Sequence, residues 1–377
     1  SSDLCNLLIF NNYFVKFLII LPNLCGGGAE RLHINLAKDW IKQGHTVEFF
    51  LMKKQGALLS ILPKDVRVSS PEVERIRSFI LPIRKYLISS KPDIVLSAMW
   101  PLTSITVVAW ILSGKQGKLF LSEHVILTAS IVNELFLPYW LVSLSLKTTY
   151  PFATGIIAVS QSVKNDLCVL GGVSCSYFKV INNPAALGAV PLGKEYNHEV
   201  WDKKFDNHIL SVGTLKFEKN YKSLIIAFSH MAEEFNAKLV ILGDGDQRLE
   251  LEELVLELGM QSRVSLPGFV LDPYPWYKGA DLFVLSSLWE GFGNVIVEAL
   301  ENGVPVVSTD SGGPSEILDG GLYGKLTPVD DHNLLTAAMI ESLKEVHNNS
   351  YLVNRSQDFL LSKISAEYLN YFRVMTT

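Results

Sequence analysis

Short apolar runs alternate along the chain with segments whose apolar residues recur at helical spacing, which is the rhythm of parallel α/β sheets. Lys16-Phe-Leu-Ile-Ile-Leu21 reads as a buried strand and leads into Gly26-Gly27-Gly28. A helix is predicted from near Ala29, with Leu32, Leu36, Trp40 and Ile41 on one face and a stop at Gly44, before a strand over Thr46 to Met52. Further strands are predicted at Ile94 to Met99, Lys118 to His124, Gly155 to Ser160 and Phe178 to Asn182. From Ala185 to Asn207 the pattern fades into Pro191, Gly193, Glu195, Asn197 and His198, the composition of a linker. It restarts with strands at Ile209 to Val212, Lys238 to Leu242, Arg263 to Leu266, Asp281 to Ser286 and Pro305 to Ser308. The reading is α/β with two doubly wound domains in tandem, at 1–185 and 208–350, joined by a linker at 186–207. A helical segment at 351–377 could cross back to the first domain. Ligands of such sheets bind beyond the carboxyl ends of the strands, so the cleft between two facing domains is the predicted active site.

Composition narrows the function. At 377 residues the chain is too long for a single compact core, and with 48% hydrophobic and 19% charged residues it can bury large ones. A net charge of -5 gives no global basic field, so nucleic acid is not an expected partner. Cys5, Cys25, Cys168 and Cys175 form no C-x-x-C pair and read as reduced thiols, and the eight histidines include no H-E-x-x-H, so no metal site is expected. Two apolar stretches approach membrane-spanning length. Leu4 to Leu21 is broken by Asn6, Asn11, Asn12 and Lys16, while Val125 to Leu146 is cut by Asn133 and Pro138 and reads as a lipid-facing surface or core helix. The residues before Val15 fit the pattern poorly, and no signal-peptide cleavage pattern is evident.

Three loops carry chemistry. Gly26-Gly27-Gly28-Ala29-Glu30-Arg31 lies between a strand and a helix, where small residues let backbone N–H groups approach a phosphate. A tight turn is the plainer alternative, and the dinucleotide fingerprint fails because its third glycine would fall at Arg31. Gly213-Thr214-Leu-Lys216-Phe-Glu-Lys219 follows a strand and offers lysines to a diphosphate or merely to solvent. Glu290-Gly-Phe292-Gly293-Asn294-Val295-Ile-Val-Glu298 puts one carboxylate in a glycine-rich loop and another a turn into the following helix, so that the two can grip separate hydroxyl pairs. Asp244-Gly-Asp246 reads as a capping turn rather than a metal site, and His124 ends an apolar strand facing the cleft.

Together with Ile157-Ala-Val-Ser160, Val180-Ile-Asn-Asn-Pro184, Gly279-Ala-Asp281, Gly303-Val-Pro-Val-Val307 and Gly312-Gly-Pro-Ser-Glu316, these segments resemble glycosyltransferase family 4 over nearly the whole chain. The resemblance implies the GT-B fold and a retaining transferase, with a nucleotide sugar on the second domain and the acceptor on the first. It implies that Glu298 holds the ribose, Glu290 the transferred sugar and Lys219 the diphosphate. Backbone at Phe292, Gly293, Asn294 and Val295 would meet the distal phosphate, and Gly268, Phe269 and Val270 would line the base. Gly27 and Gly28 would approach the diphosphate, and His124 would face the sugar. The family often has Arg where this chain has Thr214, and Lys216 is the candidate replacement. Cations and helix ends would stabilise the diphosphate leaving group, so no metal or other cofactor is expected.

The Gly-Gly-Ala-Glu-Arg loop resembles bacterial enzymes that extend lipid-linked glycans. The expected partners are therefore a UDP-sugar donor and a glycan acceptor on a polyprenyl diphosphate, in O-antigen or capsule-type synthesis. Arg75, Arg77, Arg84 and Lys85 lie beside Phe79, Ile80, Leu81, Tyr86 and Leu87, and Phe136 to Leu146 is apolar. That combination suits a cytoplasmic protein resting on the anionic inner face of the plasma membrane, although a solvated helix over an ordinary core fits equally. A sugar-nucleotide epimerase and a non-catalytic nucleotide-sugar-binding protein are the competing classes.

Overall fold

The computed structural model describes residues 14–135, 137–186, 188, 201–232 and 234–376. Cys5, the stretch before Phe14 and most of the expected linker lie outside them.

The chain divides into two compact units. The first takes the chain to Val159, Lys164–Pro184 and the C-terminal stretch from Ile364, and the second takes Ser160–Val163 and Ala185–Lys363. The first unit carries β1 (Lys16–Leu21), β2 (Thr46–Leu51), β3 (Arg67–Ser69), β4 (Ile94–Ala98), β5 (Lys118–Glu123), β6 (Gly155–Ala158) and β7 (Phe178–Val180). They form one sheet in the order β3-β2-β1-β4-β5-β6-β7, all pairs parallel. The second unit carries β8 (Asn207–Val212), β9 (Ala237–Leu242), β10 (Val264–Gly268), β11 (Leu282–Leu285), β12 (Val306–Thr309) and β13 (Lys325–Thr327). Their order is β10-β9-β8-β11-β12-β13, again parallel. Both orders are Rossmann-like, with the strand sequence reversing beside β1 and beside β8, where such sheets take ligands.

β3 and β13 are the strands that periodicity does not reveal. Each has three residues at a sheet edge, Arg-Val-Ser and Lys-Leu-Thr, too short and too mixed to show an alternation. The central strands are buried on both faces and read as continuous apolar runs.

In the first unit, helix Gly28–Lys42 buries Leu32, Leu36 and Trp40 as its period predicts, and also Ala29, His33, Ile34 and Ala37. Trp40 stacks on Phe17 of β1 at 4.3 Å, and Phe372 of helix Leu361–Thr376 meets both rings. Ile364, Tyr368, Leu369 and Phe372 make the buried stripe of that last helix, spaced at one and two turns. The second unit packs helix Tyr221–Met231 through Leu224, Ile225 and Phe228 against Ile209, Leu239 and Ile241.

One expectation is corrected here. Cys168 and Cys175 are not separate thiols but a disulfide pair with Cα atoms 5.5 Å apart, because the turn at Gly171 and Gly172 brings the end of helix Gln161–Gly171 back beside the entry to β7. The basic segment folds as a helix that contains Pro82. The proline lies in the first turn of helix Ile80–Ser90, where its missing N–H is not needed, and Phe79, Ile83 and Leu87 point into the core.

Among the described residues no helix is long and apolar enough to cross a membrane. The Val125 to Leu146 stretch divides into helix Leu127–Ser130, a wide turn, and helix Tyr139–Thr149 after Pro138. The second of these buries Val142 and Leu146 and leaves Tyr139, Trp140, Leu141 and Leu144 exposed, Trp140 by 63%.

Candidate functional site

In the second unit, parallel pairing of β8 with β11 puts the loops after both strands at one carboxyl edge. This closes the 71-residue gap between Lys219 and Glu290. The Lys219 ammonium donates to Glu290 Oε2 at 2.5 Å, and both side chains are less than one-fifth exposed. The loops are laced together by Leu288 N–H to the Glu218 carbonyl at 2.8 Å and Ser286 Oγ to the Lys219 carbonyl at 2.8 Å. Ser287 Oγ also donates to Glu290 Oε2 at 3.3 Å, and Glu290 exchanges backbone hydrogen bonds with Ser311 and Gly313. The carboxylate is thus fixed at side chain and backbone together.

Gly293 ends this loop with φ +102 as the N-cap of helix Asn294–Glu301, a conformation that a side chain would strain. No side chain caps this helix, whose first turn forms its positive end. Phe292 is buried against Phe359, and its backbone packs so closely on Gly313 that a Cβ there would collide with it. Glu298 is half-buried, one turn into the helix. The Tyr277 hydroxyl, fully buried, reaches Glu298 Oε2 at 3.0 Å and the Val295 carbonyl at 3.3 Å. Burial and the Glu298 charge hold the Tyr277 phenol well above its ordinary range, so it stays a donor.

The neighbouring loops rest on glycine. At Gly243, φ +145, any Cβ would run into the Gly213 carbonyl, so the turns after β8 and β9 approach this closely because the residue is glycine. Tyr221 and Lys219 occupy the space where a Gly213 side chain would stand. Thr214 and Lys216 are exposed. Gly268 closes β10 with its carbonyl accepting from Gly243 N–H at 2.9 Å, followed by exposed Phe269 and half-buried Val270. Asp244 does not cap the next helix as expected. It accepts from Gly245 N–H and from the Arg248 guanidinium, both at 2.8 Å, while Gln247 takes the cap position.

In the first unit, Gly27 is the N-cap of helix Gly28–Lys42, again with no side-chain cap, and the Glu30 carboxylate folds back to where a Gly27 Cβ would stand. Gly27 and Gly28 are exposed. His124 follows β5 with Nε2 3.0 Å from Ser122 Oγ, and His33 meets it edge to face with ring centres 5.5 Å apart. His33 is completely buried, which drives its imidazole from 6.5 down to about 4, and burial followed by the charge His33 would carry holds His124 well below its ordinary value.

That depression has a sign. Above pH 6.5 neither the folded nor the unfolded chain protonates His33, and between 6.5 and about 4 only the unfolded chain does, so folding stability falls with pH across that window. The loss approaches roughly 3 kcal/mol at its acid end. The expected result is that acidification from pH 7 to 4 lowers the urea midpoint of the first unit's transition less in His33→Leu than in the wild-type chain. Parallel slopes in the two proteins would refute it.

Residues 26–187 match the family described as Glycosyltransferase Family 4, and residues 194–358 match that described as Glycosyl transferases group 1. The chain belongs to glycosyltransferase family 4. An uncharacterised glycosyltransferase of Methanocaldococcus jannaschii is 30% identical over 60% of this chain and 65% of its own length. In Campylobacter jejuni, the alpha-1,4-N-acetyl-D-galactosaminyltransferase named for GalNAc-alpha-(1->4)-GalNAc-alpha-(1->3)-diNAcBac-PP-undecaprenol is 28% identical over 94% of this chain and 97% of its own. For three curated relatives, the archaeal protein among them, the match spans 60 to 65% of their length. The crystal structure of Anabaena HepE in complex with UDP and glucose superposes with a TM-score of 0.79 at 20% identity, covering 96% of this chain and 100% of that one. The fold of this family 4 member is accordingly GT-B.

The motif reading names Glu290, Lys219, Glu298 and His124 but not the side chains that meet them, Tyr277, Ser287 and His33. Tyr277 stands in a five-residue helix too short to show a face, and Ser287 is one of several serines after β11. His33 falls four residues after Ala29 on the buried face, a signal that helical spacing alone could have given.

Proposed function

We propose that this family 4 protein is a retaining glycosyltransferase that takes a sugar from a UDP-sugar and passes it to a saccharide carried on a polyprenyl diphosphate, in O-antigen or capsule-type synthesis. The observation that carries the donor half is the Lys219–Glu290 pair beside the uncapped helix whose Glu298 is held by Tyr277. In this reading Glu298 takes the ribose hydroxyls, Lys219 the diphosphate, and N–H groups of Phe292 to Val295 the distal phosphate. Gly268, Phe269 and Val270 line the base, Gly213, Thr214 and Lys216 flank the phosphates, and Gly27, Gly28 and His124 serve the reacting sugar. Glu290 receives the sugar hydroxyls once a diphosphate competes for Lys219. The UDP of HepE and the undecaprenol-linked acceptor of the Campylobacter relative support the choice of partners.

The chemistry needs charge stabilisation of the departing diphosphate, which lysine and a helix end supply from fixed positions. Attack on the same face as the departing phosphate, with that phosphate taking the acceptor proton, conserves configuration. The acceptor lipid fits the first unit's exposed Tyr139, Trp140, Leu141 and Leu144, next to Lys147, as a peripheral contact with an anionic bilayer.

Titration calorimetry with UDP, GDP and ADP, each in EDTA and in Mg2+, tests the donor half. Binding of UDP in EDTA is expected. Binding that appears only with Mg2+ would reassign the phosphate contacts, and release of an altered free sugar from the UDP-sugar would make the protein an epimerase.

A further inference from the structure

Helix Gly28–Lys42 brings a second histidine to His124, and each of the two rings has one nitrogen that is buried without a partner, His33 Nε2 and His124 Nδ1. The states of these nitrogens are linked to what the other nitrogens do. His33 Nδ1 is 2.7 Å from the Ala29 carbonyl one turn back. A carbonyl only accepts, so Nδ1 carries the proton, and a neutral His33 therefore presents a bare lone pair at Nε2. Burial keeps the ring neutral, with no carboxylate paired to it. On the other ring, Nε2 lies 3.0 Å from Ser122 Oγ, and a hydroxyl can donate or accept. If Ser122 donates, His124 carries its proton on Nδ1, and the two orphaned atoms are a donor and an acceptor. If Ser122 accepts, they are two lone pairs in a dry place, each bearing an unmet hydrogen-bond cost.

We propose that His33 is a positioning residue that selects the Nδ1–H tautomer of His124, leaving His124 Nε2 as the acceptor. Ring centres 5.5 Å apart leave room for a hydrogen bond between one nitrogen of each ring when those two nitrogens face each other. The polarity then runs in one direction, from Ser122 Oγ–H to His124 Nε2 and from His124 Nδ1–H to His33 Nε2, ending at the Ala29 carbonyl. A sugar hydroxyl reaching His124 would donate to Nε2 in place of Ser122. Glu123 on the same strand is turned to the Trp100 N–H and the Tyr150 hydroxyl, and Glu30 folds onto Gly27. The buried Tyr368 hydroxyl interacts with Ser122, and as a donor to Ser122 Oγ it leaves the Ser122 proton for His124. The proposal rests on the donor-site reading only where it assigns the use of Nε2.

The test is nitrogen NMR of the full chain labelled with 15N-histidine, read beside kcat and KM. The wild-type protein is expected to show both rings neutral from pH 5.5 to 8 and both as Nδ1–H. In His33→Leu the His124 signals should move to a mixture of tautomers, and kcat should fall about tenfold with KM for the UDP-sugar changed less than twofold. His33→Phe keeps the ring volume without the acceptor, so the same mixture is expected there and covers a poorly folded leucine variant. An Nε2–H tautomer for His124 in the wild-type chain overturns the proposal, as does a His33→Phe protein with wild-type signals and kcat. If His124→Ala transfers normally while the tautomer results hold, the pairing stands and only the placement of His124 at the sugar fails.

Discussion

Glu298→Ala is expected to weaken UDP binding at least a hundredfold while leaving the fold intact. The side chain is half-buried and its carboxylate is aimed by the Tyr277 hydroxyl at 3.0 Å, so it is held ready before any ligand arrives. Two ribose hydroxyls donating to a charged carboxylate contribute about 1.5 to 3 kcal/mol each, and alanine forfeits both. The helix does not depend on this residue, because Ile296, Val297, Ala299 and Leu300 make its buried face. Tyr277→Phe removes the aiming hydrogen bond but not the carboxylate and should cost UDP affinity roughly fivefold, near 1 kcal/mol. Calorimetry with UDP measures both. A Glu298→Ala protein that binds UDP within twofold of wild type would sink the ribose assignment.

Glu290→Gln should act in the opposite sense on binding and on turnover. In the structure Lys219 is neutralised by Glu290, so an incoming diphosphate must compete for the ammonium. The amide is isosteric, keeps the loop contacts of the Glu290 backbone and frees the lysine, so UDP affinity is expected to hold or to rise about threefold. Transfer should fall by roughly two to three orders of magnitude, the scale seen when one preorganised electrostatic contact to the reacting group is lost. Lys219→Ala should lose both, since diphosphate and Glu290 then share no cation. Initial rates with a UDP-sugar and calorimetry with UDP separate the two outcomes. Equal loss of binding and turnover in Glu290→Gln would place Glu290 on the nucleotide rather than on the sugar.

Much of this was legible in the chain itself. The interior strands announce themselves because parallel strands covered on both faces must be apolar throughout, as Lys16–Leu21 and Ala237–Leu242 are after their first residues. The Glu290 to Glu298 spacing was legible because helix geometry is local: a glycine N-cap three residues after Glu290 puts Glu298 one turn in. The edge strands β3 and β13 were not, since three mixed residues carry no period. The Cys168–Cys175 pair was not, since its closeness depends on how one turn folds back.

The sequence by itself determined the two α/β units and the loops that hold the candidate donor residues, because these follow from periodicity and short-range spacing, and its motifs carried the resemblance to glycosyltransferase family 4. Tertiary structure alone decided which side chains act in pairs. Lys219 meets Glu290 across 71 residues because β8 lies beside β11, Tyr277 finds Glu298 because a five-residue helix packs beneath it, and His33 finds His124 because helix Gly28–Lys42 lies against the sheet. A hydrogen bond is settled within a few tenths of an ångström, and strand order sets that distance where residue type does not.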